Sequence, residues 1–217
     1  MSVAVRPGRG LPIVRRTPLC PAATRPPGGG DADVVQPAAA LILDLRDNGG
    51  GSPGTVALLL SYLLDAAARP LFDIVHRDGS KDSYTTEATP PPTRNAARPI
   101  YVLTSPRTFS AGEGLAFLLQ EWKRAVVIGE VTAGAANPGR PYPAGPLFEI
   151  TVPNGRVVTA ITKRNWEGSG VTPDVRVPAA EAFRVAHLRA LDDVIAATAD
   201  PTRREELRSI RAGLAKR

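Results

Sequence analysis

The chain is poor in the residues that build most small metal and redox sites. Of its 217 residues only Cys20 is a cysteine, so one chain can form neither a disulfide framework nor a paired-cysteine zinc site. The two histidines, His76 and His187, lie far apart with no HExxH spacing, and no metal or organic cofactor is expected. Aromatic residues make up only 5%, so a core must come from Ala, Val, Leu and Ile, a composition suited to α/β layering. No apolar run reaches the length of a membrane span or a signal peptide; the chain as written reads as soluble, and its sequence assigns no compartment. The net charge of +6 is also misleading as a sign of nucleic-acid binding. Five Arg face two Asp in residues 1–37, and six Lys or Arg face two Glu in residues 201–217, which leaves residues 38–200 close to neutral. Charge runs of this kind are usually solvated ends, and no basic face for phosphates is expected in the centre.

Three regions follow from patterning. Residues 1–37 are crowded with Pro, Gly and Arg and have no strand or helix period, so they read as a disordered or truncated leader. Residues 38–200 read as one domain, and residues 201–217 as a charged helical tail. Within the domain, LILDLR is a buried strand broken by DNGGGSPG, after which Val56, Leu59, Leu60, Leu63 and Ala67 make a helical stripe. LFDIVHR and SYTTEA flank DGSK as a hairpin, and PPPTRNAARP is a connecting loop. IYVLT and AVVIGE are further buried strands on either side of a helix starting near Ser110, whose stripe is Ala111, Leu115, Leu118, Leu119 and Trp122. FEITVPNGRVVTAIT reads as two strands around a PNG turn, VRV as a short strand, and residues 179–198 as a helix packing Phe183, His187, Leu191 and Val194. Strands alternating with helices predict an α/β fold with a mixed sheet covered by helices.

Chemistry concentrates at two strand ends. VLTSPRTFSAGEGLAFLL delivers the Ser110 hydroxyl to the first turn of a helix, where unpaired N–H groups and the helix dipole favour an oxyanion. A serine there also serves as an ordinary helix cap. LILDLRDNGGG ends its strand in three glycines, which allow a backbone N–H to approach a substrate closely, although a flexible turn has the same composition. The loop is not a phosphate cradle, because GSPGT supplies no Walker lysine and no GxGxxG is present.

Four blocks, LILDLRDNGGG, VLTSPRTFSAGEGLAFLL, AVVIGEVTAGAANP and NWEGSGVTPDVRVP, occur in an order that resembles the tail-specific or C-terminal processing serine proteases, relatives of the tricorn core protease and the interphotoreceptor retinoid-binding modules. The resemblance spans about residues 38–190 and implies a ClpP/crotonase-like core, a polypeptide substrate and amide hydrolysis. By the same resemblance Ser110 matches the nucleophile, while the N–H groups of Ala111 and of a glycine in the Asp47–Gly51 turn, Gly50 in this reading, form the oxyanion hole. Glu167 matches a carboxylate that positions the catalytic machinery.

The general base departs from the pattern. Ala135 stands where Ser–Lys members carry lysine, and no histidine precedes His76. His76, His187 and Lys163 are the substitutes at hand, the histidines reading better as structural residues, and a serine without a base is a weak nucleophile. An endopeptidase acting through Ser110 is therefore expected, with a noncatalytic module of the same fold, binding an apolar ligand or a peptide, as the alternative.

Overall fold

In the computed structural model, residues 14–15, 39–64, 67–87 and 98–216 are described; most of the leader and most of the segment expected to be a connecting loop lie outside them. In chain order the first half comprises β1 (Val14–Arg15), β2 (Leu41–Asp44), α1 (Pro53–Leu63), β3 (Pro70–His76), β4 (Lys81–Thr85), β5 (Ile100–Thr104) and α2 (Ala111–Glu121). The second half comprises β6 (Val126–Gly129), β7 (Gly139–Pro143), β8 (Glu149–Pro153), β9 (Gly155–Thr159), β10 (Val175–Arg176), α3 (Ala179–Ala197) and α4 (Pro201–Ala215). No helix among the described residues is long and apolar enough to cross a membrane.

Uninterrupted apolar runs become central strands because both faces of a parallel sheet are covered. The main sheet has the order β1-β2-β5-β6-β10 and all its pairs are parallel, with Leu41 opposite Ile100 and Tyr101 opposite Val126. β1 pairs Val14 with Leu43, a contact that the composition of the leader does not announce. The two-residue side-chain period of the strands sorts the core into two halves. Leu41, Ile100, Val102 and Val127 pack with Leu60 of α1 and Leu115, Leu118 and Leu119 of α2 on one face. Ile42, Tyr101, Leu103 and Ile128 pack with Ala182, Ala186 and Ala190 of α3 on the other.

That second face refines the expected helix stripe. The α3 side chains buried in this cluster are the alanines at every fourth position; Leu191 is buried as well, and Phe183 and Val194 pack against the cluster partly covered, with His187 half-buried beside Phe183. Small side chains let the helix axis approach the strands, and the larger ones flank the contact. Tyr101, on this face, donates to Asp193; burial first, and then this bond, raises its pKa above the ordinary range.

Two smaller sheets complete the fold. β3 pairs antiparallel with β4, forming the expected hairpin, and also with β9. The segment around the PNG turn differs from expectation: β8 and β9 belong to different sheets, and β8 pairs with β7, which the proline content of RPYP had hidden as loop.

Candidate active site

Because β2, β5 and β6 are parallel, their carboxyl ends lie at one edge of the sheet, the place where open α/β folds gather reactive groups. Side-chain hydroxyls stitch the three loops together there. Thr108 Oγ1 donates to the Leu45 carbonyl at 2.8 Å, Ser105 Oγ to that of Arg46, and Phe109 N to that of Asn48 at 2.9 Å. Thr104 Oγ1 donates to the Glu130 carbonyl at 2.9 Å, and Ala133 N to that of Thr108 at 3.1 Å. Behind them Arg46 forks onto Asp44 at 2.7 and 2.8 Å and donates to the Ala179 carbonyl, tying the β2 end to the start of α3. The Asp44 bonds push the Arg46 pKa up.

This stitching brings the glycine turn onto the serine. A methyl placed on Gly50 would stand 2.9 Å from Ser110 Cβ and 3.4 Å from Ser110 Oγ, a contact only glycine permits, and Gly50 has φ +103°. Ser110 itself has φ 51° and ψ −120°, a backbone conformation that side-chain-bearing residues seldom adopt. Strain of this kind persists only where the surroundings over-determine it, and functional sites are where it collects. The half-buried serine thus sits on a sharp strand-to-helix turn as the N-cap of α2, with Ala111 as its first helical residue. One detail refines the expected oxyanion donors: the Gly50 N–H already donates to Asn48 Oδ1 at 2.9 Å. Asn48 is buried, and its Oδ1 fits against Gly112, where any Cβ would come within 2.7 Å of it.

Two carboxylates divide the loop after β6 between them. Glu113, wholly buried, accepts from Ser110 N at 2.7 Å and Ala135 N at 2.9 Å on Oε2, and from Gly134 N at 2.6 Å and Thr132 Oγ1 at 2.5 Å on Oε1. Glu167, exposed, accepts the next two N–H groups, those of Ala136 at 2.7 Å and Asn137 at 2.8 Å. Trp166 closes the cluster: its Nε1 donates to the Ala135 carbonyl, its ring stacks under Gly114 with only 3.0 Å for a Cβ, and it meets Phe117 at 5.4 Å. Ser110, Ala111, Gly50, Ala135 and Glu167 therefore belong to one bonded neighbourhood. Glu113 was not singled out in the sequence, although Ser110 followed three residues later by Glu is the capping-box spacing.

Among the described residues no hydrogen bond joins a substitute base to Ser110, whose N–H is held by Glu113. Lys163 follows Thr162, whose N–H donates to Glu121 at 3.0 Å. Glu121 ends α2 eleven residues beyond Ser110, roughly 16 Å along the axis at 1.5 Å per residue. His76 closes β3 with Nε2 on Asp82 at 2.8 Å. His187 rides on α3, across the sheet from α2, beside Phe183; burial lowers its pKa.

Comparison with known proteins agrees with this architecture. The model of peptidase family S41 matches residues 32–177. Carboxyl-terminal-processing peptidase 2 of Arabidopsis thaliana chloroplasts is 32% identical over 151 residues, covering 64% of this chain and 26% of that protein. The carboxy-terminal processing protease CtpB of Bacillus subtilis is 26% identical over 157 residues, covering 69% and 30%. Among solved structures, the photosystem II D1 C-terminal processing protease superposes with a TM-score of 0.58 at 25% identity, over 82% of this chain and 46% of that one. The chain belongs to peptidase family S41. It spans under a third of the length of these curated relatives.

Proposed function

We propose that the chain carries the nucleophile of a serine endopeptidase that hydrolyses polypeptide amide bonds through an acyl-enzyme on Ser110, with no metal or organic cofactor. Ser110 Oγ attacks the scissile carbonyl carbon; the C–N bond then breaks, the hydroxyl proton leaves with the amine, and water reverses the sequence to free the acid. The Ala111 N–H, first in its helix and without an intrahelical acceptor, donates to the oxyanion. A glycine of the Asp47–Gly51 turn supplies the second donor. If that donor is Gly50, the oxyanion replaces Asn48 Oδ1 as its acceptor. Glu167 acts at one remove, by fixing the backbone that faces Ser110.

The observation that carries this reading is the contact between Gly50 and a serine held at φ 51° on a helix N-terminus. A serine that only capped its helix would need neither the strained backbone nor the glycine against it. Residue 135 is alanine and accepts no proton, so the base is a different group. The test is turnover of an unfolded polypeptide such as casein by the purified full-length protein beside its Ser110→Ala variant. Turnover lost in the variant supports the reading, and equal turnover in both removes it.

A further inference from the structure

Resting on the peptidase reading, we infer that Glu113 is a positioning residue for the reaction: its carboxylate fixes the nucleophile's backbone and the loop opposite it through one shared set of bonds. The chemistry begins with an imbalance. A carboxylate enclosed by protein is costly unless its oxygens are met by donors, and here four donors meet it while water does not. It also lies in the first turn of α2, where the dipole favours negative charge. None of this requires Glu113 to touch substrate.

What the bonds accomplish is local. Glu113 Oε2 takes the N–H of Ser110 and that of Ala135 together, so the two backbones stand within two hydrogen-bond lengths of each other. The bond to Ser110 N acts on the residue with φ 51°, which holds its strained conformation only while its neighbours enforce it. Oε1 holds Gly134 N and Thr132 Oγ1, and the same hydroxyl accepts from Val171 N at 2.7 Å, carrying the grip to the segment that follows Glu167. The side chain therefore sets where Ser110 Oγ points, where the Ala111 N–H points, and how far away residue 135 lies.

Glu113→Gln tests the proposal, because an amide keeps the shape but turns a donor group toward donors. In the full chain, expected outcomes are a fall of about 100-fold in the turnover constant with KM little changed, the loss typical of a reacting group misplaced by about 1 Å. Amide exchange followed by NMR should quicken at least tenfold at Ser110, Gly134 and Ala135, an order-of-magnitude expectation for losing a charge-assisted bond, while Val102 in β5 stays protected. Thr132→Val, which removes one of the four donors and leaves the carboxylate in place, should give the same pattern at smaller amplitude. Uniformly faster exchange, or a rise in KM with an unchanged turnover constant, would mean that Glu113 only stabilises the fold and would overturn the proposal. Were wild-type protein inactive, the peptidase reading would fail; the exchange pattern alone would then decide whether Glu113 holds Ser110.

Discussion

The chain leaving β6 runs through two contrasting surroundings in succession. From Thr132 to Asn137 each described N–H or hydroxyl contact is answered by a neighbouring element: Val171, Thr108, Glu113 and Glu167 all hold it. From Gly139 to Pro153 the backbone, among the described residues, pairs only with itself, as β7 and β8, and every residue is exposed, including Tyr142, Phe148 and Ile150. A lone two-stranded ribbon is marginal in water, whereas the segment before it is gripped from three directions. The lesson is that order at the candidate site comes from side-chain acceptors aimed at loop amides, and not from regular pairing.

Two glycines offer the sharpest way to break the comparison. Gly50→Ala places a methyl 2.9 Å from Ser110 Cβ at a φ of +103°, whereas Gly145→Ala, at φ +95°, meets no atom within 4 Å. Both carry the backbone penalty, about 1–2 kcal/mol, but only the first displaces the serine. Turnover should fall by about 100-fold or more in Gly50→Ala and stay unchanged in Gly145→Ala, measured beside both melting temperatures.

A smaller effect is expected at the second carboxylate. Glu167→Gln weakens two bonds at an exposed site, so turnover should drop by roughly tenfold at most, well short of Glu113→Gln. Equal losses in the two variants would erase the distinction between a buried and an exposed grip.

The smallest effect lies on the other face of the sheet, at His187 of α3. Burial places the His187 pKa below its ordinary 6.5, so the native state binds this proton less readily than the unfolded chain. Its contribution to stability is present above pH 6.5 and fades as the pH falls below it. His187→Gln should flatten the acid-side decline of the melting temperature without altering turnover at neutral pH.

The same contrast explains what the sequence made legible. LILDLR and IYVLT announced their strands because burial on both faces demands unbroken apolar runs, and the glycine run and TFSAGE marked the turns at their ends. β7 stayed hidden because Pro141 and Pro143 argue against a strand, yet an isolated ribbon has edges that tolerate them. The α3 stripe was legible only in part: Phe183, Leu191 and Val194 are covered as expected, but the alanines that make the closest contact carry too little hydrophobic weight to announce it. Glu113 carried a readable capping-box spacing, but its bonds to Gly134 and Ala135 come from residues 21 and 22 positions away and have no local signature.

The central claim is that a reactive Ser110 lies against the glycine turn. Its most direct measurement is labelling of the full-length protein with a fluorophosphonate, followed by mass-spectrometric location of the adduct. The account predicts a single adduct on Ser110 that forms far more slowly in Gly50→Ala. An adduct on another serine, or none in a protein that still degrades casein, would contradict it.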